Sequence, residues 1–237
     1  MRPSDALANK SDGLMIYAAT LVRYMNDGQE SPQIKLRKVL AGYNGVDPLY
    51  EQVISEAQER TNFKRVIGTL MYLRYPIPLA ELALLLRLDI PDIRVALAQC
   101  HSVLLVPENE DDSIRPYHAS LRDYLTDQER SGDGFCAPAQ SHASIAVNCL
   151  RAITDCLGSE DKPSEYMCIA WYYHCSCLLS RIDGSEHVHL CSEVKAGMDT
   201  VNVDWLRYWM VEALTYAEVP YVRYDLPSAK VSELLEC

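Results

Sequence analysis

The chain has 237 residues, of which 49% are apolar and 23% charged, with 33 acids against 22 bases and a formal charge of -11. This is globular rather than disordered composition, and the acid excess makes a phosphate backbone an unfavourable partner unless the bases cluster, which they do not. Nine cysteines, an odd number with none before Cys100, fit a reducing cytoplasmic setting better than a disulfide framework, and no stretch approaches the roughly 20 apolar residues that span a bilayer.

The first expected helix is 13–25, where Leu14, Ala18, Leu21, Val22 and Met25 recur at helical spacing and Asp27 with Gly28 stop it. Ser31-Pro32 reads as an N-cap followed by proline at N1, opening a short helix with Ile34, Leu36, Val39 and Leu40 as its apolar positions. Asp47-Pro48 repeats the device before a stripe of Tyr50, Val53, Ile54 and Ala57. From Phe63 the pattern sharpens through Val66, Ile67, Leu70, Met71 and Leu73, and Pro76 and Pro78 forbid continuation.

Two short helices are expected next, 79–86 and 91–100, the second with Asp89 as its cap. Ser102 to Pro107 and Ser113 to Tyr117 then form strand-length runs around an acidic tip, Glu108-Asn-Glu-Asp-Asp112. Three helices followed by a hairpin is the order of a winged helix-turn-helix module. The fold class expected is therefore mainly α, a winged helix-turn-helix with a small β-hairpin, flanked by helical segments. Helix returns over 118–125, Ser131-Gly-Asp-Gly134 marks a boundary, and helices follow over 141–157 and 163–182. A last helix, Trp205 to Tyr216, is capped by Asn202 or Asp204, and Pro220 and Pro227 make the tail irregular.

Nucleotide hydrolysis lacks its equipment, because no glycine in the chain is followed by lysine and no glycine-rich loop follows a strand. Nucleic-acid binding is disfavoured too: the would-be recognition helix carries only Asp92 and Arg94 as charges, and the wing adds Glu108, Glu110, Asp111 and Asp112. A metal centre has a weak candidate set, Cys168, His174, Cys175 and Cys177 with His187, His189 and Cys191 downstream, whose spacings match no paired-cysteine zinc knuckle. Cys168, Trp171, Tyr172, Cys175 and Leu179 share one helical face instead, as a core stripe with cysteine as a small hydrophobe would.

His118 stands where the second strand ends and a helix begins, so its ring could meet a ligand held by a neighbouring domain, and a helix start there favours an anion. Ser120 and Asp123 follow it, but residues two apart on a helix point in different directions, so no triad and no enzyme is expected. Leu121, Tyr124 and Leu125 give the same helix an apolar side for a neighbour, which the small residues of 141–157 could approach closely.

Several of these stretches together resemble the NACHT branch of the STAND signalling ATPases, especially its large fungal expansion. They are Ser11-Asp-Gly-Leu-Met-Ile-Tyr-Ala-Ala19, Asp47-Pro-Leu-Tyr50, Phe63-Lys-Arg-Val-Ile-Gly-Thr-Leu70, His101-Ser-Val-Leu-Leu-Val106 and Arg115-Pro-Tyr-His-Ala-Ser-Leu-Arg-Asp-Tyr-Leu-Thr-Asp127, then Ser141 to Leu150 and Leu206-Arg-Tyr-Trp209. The resemblance implies a helical remnant of the ATPase core end and the following helical segment at 1–60, a winged-helix domain at 61–130, a C-terminal helical domain at 138–220 and an irregular tail at 221–237. It also implies that His118 holds the position of a nucleotide-phosphate sensor, usable only if an ATPase core is supplied; Ala119 follows it where many relatives have an acid. The phosphate-binding loop and most of the core sheet are missing from the chain, so ADP or ATP would matter only in a full-length relative and no cofactor is expected here. The N-terminal segment through Met25, part of the core in relatives, should be loosely held or repurposed.

The function expected is a non-catalytic regulatory or scaffolding fragment of a NACHT-type signalling receptor. It would act through a protein partner or the missing ATPase core, with no nucleic acid and no membrane involved. The alternative is a stand-alone zinc-stabilised structural module, and a nucleic-acid-binding winged helix ranks below that.

Overall fold

A computed structural model describes residues 14–41, 45–156, 164–179 and 192–198, together with 5, 7, 9 and 11. The fold is predominantly α-helical, with one small two-stranded antiparallel hairpin flanked by helices. The chain divides into two compact units, Met1–Ala137 and Pro138–Cys237. The helix expected over Trp205 to Tyr216 and the tail after it lie outside the described residues.

In the first unit, α1 (Met15–Met25), α2 (Pro32–Ala41) and α3 (Asp47–Ala57) come first. Helix α1 is not loosely held: Tyr17, Thr20, Leu21 and Tyr24 are buried, so one of its faces is packed. Helix α2 departs from the apolar stripe expected of it. Ile34 is exposed, and the residue that goes inside is Lys35, whose ammonium contacts the Asp27 carboxylate, donates to the Tyr24 carbonyl oxygen at 2.9 Å and lies 4.1 Å from the Tyr24 ring centre. A lysine can go inside because carboxylate, carbonyl and ring face together replace its water. Beside it, Tyr24 Oη donates to Glu56 at 2.8 Å, and Lys38 bridges Glu30 and Glu56, each at 2.8 Å. This polar network ties α1 and α2 to α3. Asp47 is not the cap of α3; Val46 holds that place, with Asp47 and Pro48 in the first turn.

Helices α4 (Phe63–Tyr72), α5 (Leu79–Leu86) and α6 (Ile90–Ala96) follow in the order expected. Phe63, Val66, Ile67 and Met71 of α4 are buried, as are Leu79, Leu82, Leu85 and Leu86 of α5 and Ile93 of α6. Each such side chain contributes about 1.5–3 kcal/mol of transfer free energy, which sets this segment as the hydrophobic centre of the unit. Arg87 closes α5 in the left-handed conformation at φ 50°. Asp89 takes the extended cap conformation before α6 but makes no side-chain cap bond.

Strands β1 (Leu104–Leu105) and β2 (Arg115–Pro116) pair antiparallel, Leu104 opposite Pro116 and Leu105 opposite Arg115. They are shorter than the apolar runs that announce them. The connecting tip is tied down at its far side. Ser113 bridges Pro78, and the amides of Leu79 and Ala80 donate to the carbonyls of Asp112 and Glu110, so the tip satisfies two of the orphan N–H groups that open α5. Helices α7 (Ser120–Leu125) and α8 (Gln128–Ser131) and a 3-10 turn (Gly132–Gly134) complete the unit. Asp127 caps α8 by accepting from the Glu129 and Arg130 amides. Within this unit α7 packs on α3, with the Tyr50 and Tyr124 rings 5.5 Å apart.

In the second unit, α9 (Pro138–Cys156) and α10 (Glu165–Leu179) pack along each other. His142, early in α9, meets His174, late in α10, so the two helices run antiparallel. Burial on α10 is not confined to one face. Tyr166, Met167, Ala170, His174 and Leu178 are inside together with Trp171, Tyr172 and Cys175, while Cys168 is half-buried. Among the described residues no helix is long and apolar enough to cross a membrane.

Candidate functional site around His118

The helix after the hairpin starts at Ser120 with Ala119 as its N-cap, so His118 lies before the helix rather than in its first turn. That displacement removes the objection that residues two apart must diverge. His118 Nδ1 is 2.8 Å from Ser120 Oγ and also accepts the Ser120 amide at 3.1 Å. A backbone amide can only donate, so Nδ1 is the acceptor nitrogen and the proton of the neutral ring sits on Nε2. Ser120 Oγ is in turn 2.8 Å from Tyr50 Oη, reaching across 70 residues of sequence to α3.

Tyr50 is buried, and burial first of all pushes its phenol up, against a smaller lowering by the Ser120 hydrogen bond, so it remains a donor. The directions therefore run one way: Tyr50 donates to Ser120, and Ser120 donates to His118. His118 itself is exposed, and its Nε2 makes no hydrogen bond among the described residues. The ring is held from behind and presents an N–H outward. Asp123 takes no hydrogen bond from Ser120 or His118, so a carboxylate-backed triad is not assembled here.

Neighbouring groups fix the same corner. Arg130 forms a two-pronged pair with Asp47, Nε to Oδ2 at 2.9 Å and Nη2 to Oδ1 at 2.8 Å, which joins α8 to the start of α3. Both partners are about one-third exposed, so the pair positions more than it stabilises. The Arg23 guanidinium of α1 lies 3.9 Å from the centre of the Tyr117 ring, next to His118 in sequence.

The would-be recognition helix α6 has its one base already engaged. Arg94 donates to the carbonyls of Pro107 at 2.6 Å and Glu108 at 2.8 Å, clamping the hairpin instead of offering a charge to a phosphate.

Of the metal-site candidates, His187, His189 and Cys191 lie outside the described residues. His174 has both ring nitrogens in use: Nδ1 is 2.7 Å from His142 Nδ1, and Nε2 is 3.1 Å from Tyr166 Oη. Cys168, Cys175 and Cys177 do not join it in a ligand cluster, and among the described residues no group of three or more His, Cys, Asp or Glu side chains could hold a metal ion. Burial pushes the Cys168 thiol up to about 11, and the Cys136 thiol likewise, which keeps both protonated near neutrality. The sequence points to His118 but discounts Ser120, and Tyr50 reads there as an ordinary stripe residue.

No family model matches the chain, and no curated protein or solved structure matches it either.

Proposed function

We propose that the chain is a non-catalytic regulatory or scaffolding segment of a NACHT-type signalling receptor, a winged-helix module with helical flanks that works through protein contacts. One observation carries this reading. Helix α1 is apolar on both sides: Tyr17, Leu21 and Tyr24 face inward, while Met15 is 83% exposed, Val22 59% and Leu14 45%. Met15, Ala18 and Val22 recur at helical spacing on the uncovered side, with no charge among them. An exposed apolar strip on a helix whose opposite face is already packed is suited to be covered by a partner.

The resemblance assigns this helix to the end of an ATPase core, which makes such a core the cover that fits best. His118 supports the same reading, because its outward N–H could meet a phosphate that the core brings. Calorimetric titration with a separately purified NACHT-type P-loop ATPase core tests the idea. Binding is expected for the native chain, is lost in Met15→Glu/Val22→Glu, and is retained in Leu84→Glu, which alters an exposed leucine elsewhere on the unit. No binding, or binding indifferent to the α1 variants, would overturn it, as would ATP turnover by the isolated chain well above a His118→Ala control.

A further inference from the structure

In the second unit the His142 and His174 side chains are 4% and 0% exposed, and their Nδ1 atoms are 2.7 Å apart. A contact that short is a hydrogen bond, so one Nδ1 carries a proton and the other accepts it. His174 Nε2 has its own partner, Tyr166 Oη at 3.1 Å, which can donate to a bare nitrogen or accept from an N–H. The two rings have four nitrogens between them, and the neutral pair carries two protons, one of them in the contact. A third proton fits on an Nε2. A fourth does not, because it would set two N–H donors face to face. The conflict lies at the two Nδ1 atoms, so it holds whatever the rings meet elsewhere.

The helices bring little charge to the pair. The charged residues of α9 and α10 are Arg151, Asp155 and Glu165, each nine residues or more along its helix from His142 or His174. Nine residues of helix span roughly 13 Å. Tyr166 and Tyr173 are the titratable groups that face the pair, the Tyr173 ring lying edge-on to both imidazoles. Cys177 stands one turn from His174 on α10. In the described stretch 192–198, Gly197 lies against Leu150 of α9, and Glu193 and Lys195 are exposed.

We propose that this pair is an acid-sensitive latch between α9 and α10, closed while it holds three protons or fewer and opened by the fourth. It lies in the second unit and rests on neither α1 nor His118. The unfolded chain admits both extra protons near the ordinary imidazole value of about 6.5, whereas the closed pair resists the last one. The unfolded state therefore binds more protons in acid. The latch contributes stability that is fully present above about pH 6.5 and lost as the pH falls below it. One withheld proton raises the unfolding constant about thirtyfold between neutrality and pH 5.

Urea denaturation of the full chain at pH 7.5 and pH 5.0 tests the proposal, followed by tryptophan emission, since Trp171, Trp205 and Trp209 all belong to the second unit. In His142→Gln the amide oxygen can accept from a charged His174, so no proton is withheld. Between the two pH values the unfolding constant of the native chain should rise about thirtyfold more than that of His142→Gln. His187→Gln/His189→Gln, which leaves the pair in place, should behave as the native chain does. Equal pH dependence in the native chain and His142→Gln, or its loss in His187→Gln/His189→Gln, would overturn the proposal. Histidine-ring NMR of the native chain needs no variant: the pair should stop one proton short while the tryptophan emission stays native. Two fully charged rings at pH 5.0 in the folded chain would also overturn it.

Discussion

Replacing Asp27 by asparagine should destabilise the first unit far more than an exposed ion pair would suggest. The Asp27 and Lys35 side chains are 2% and 0% exposed, so solvent does not screen their interaction. Removing one partner of a buried pair costs about 3–5 kcal/mol, because the other charge stays inside without its counterion. Lys35 keeps the Tyr24 carbonyl and the Tyr24 ring face, worth about 1–2 kcal/mol together, so the net loss for Asp27→Asn should be about 2–3 kcal/mol. Lys35→Met should cost a similar amount, by stranding the carboxylate. The double variant Asp27→Asn/Lys35→Met removes both charges. The substituted amide oxygen can still accept the Gln29 amide that Asp27 accepts at 2.9 Å, so this variant should lie within about 1 kcal/mol of the native chain. Urea denaturation followed by far-UV circular dichroism is the assay. Tryptophan emission will not serve alone, since Trp171, Trp205 and Trp209 all lie after residue 137. Simple additivity of the two single losses, or a loss below about 1 kcal/mol for Asp27→Asn, would show that Lys35 is not held as a buried, paired cation.

Leu121→Ala and Leu125→Ala should each cost about 2–5 kcal/mol in the same assay, since both side chains are fully buried, and near-zero losses would contradict the packing of α7. His118→Ala should cost less, about 0.5–2 kcal/mol, because the exposed ring supplies only an acceptor to the Ser120 amide and hydroxyl at the start of α7; a loss above both leucine variants would make it a structural keystone. Ser120→Ala leaves the Tyr50 hydroxyl buried without its partner and should cost about 1–3 kcal/mol, whereas adding Ser120→Ala to Tyr50→Phe should cost little more, so full additivity would break the proposed chain. For Glu56, burial pushes the carboxyl up, but hydrogen bonds from Lys38, Tyr24 and Gln52 outweigh it and hold it below its ordinary 4.5. A depressed carboxyl contributes stability that is present above pH 4.5 and lost as the pH falls through its folded value, so Glu56→Gln should flatten the acid side of the stability profile, and an unchanged profile would refute the assignment.

Where one side of an element is strongly apolar, the sequence was a reliable guide. Phe63, Val66, Ile67 and Met71 announce α4 and its buried face, and Pro76 with Pro78 announce its end. Polarity misled where tertiary partners decide. Lys35 reads as solvent-facing and Ile34 as core, and the reversal depends on Asp27 and Tyr24 gathering around one ammonium. Asp47 reads as a helix cap, but its carboxylate is bound by Arg130, 83 residues on. The His118 corner was half legible: a histidine at a strand-to-helix junction is visible in the chain, but whether the helix starts at 118 or 120 decides whether Ser120 faces it. Sequence periodicity does not fix a boundary to two residues. Tyr50 could have been found only by asking which buried tyrosine needs a partner for its hydroxyl.

The acidic tip of the hairpin, residues 108–112, is the stretch an engineer would choose for an epitope tag or a fluorophore-bearing insertion. It is polar and exposed, and such loop tips usually accept added residues. Here its length is part of the construction. Its backbone carbonyls close the start of α5 at Leu79 and Ala80, and the carbonyls of Pro107 and Glu108 hold Arg94 from α6. Residues added between 108 and 112 would pull these two sets of acceptors out of step and leave two helices unfastened at once. A label belongs elsewhere on this unit, and an exposed helical position such as Gln33, with no part in the fastening, offers a safer attachment point.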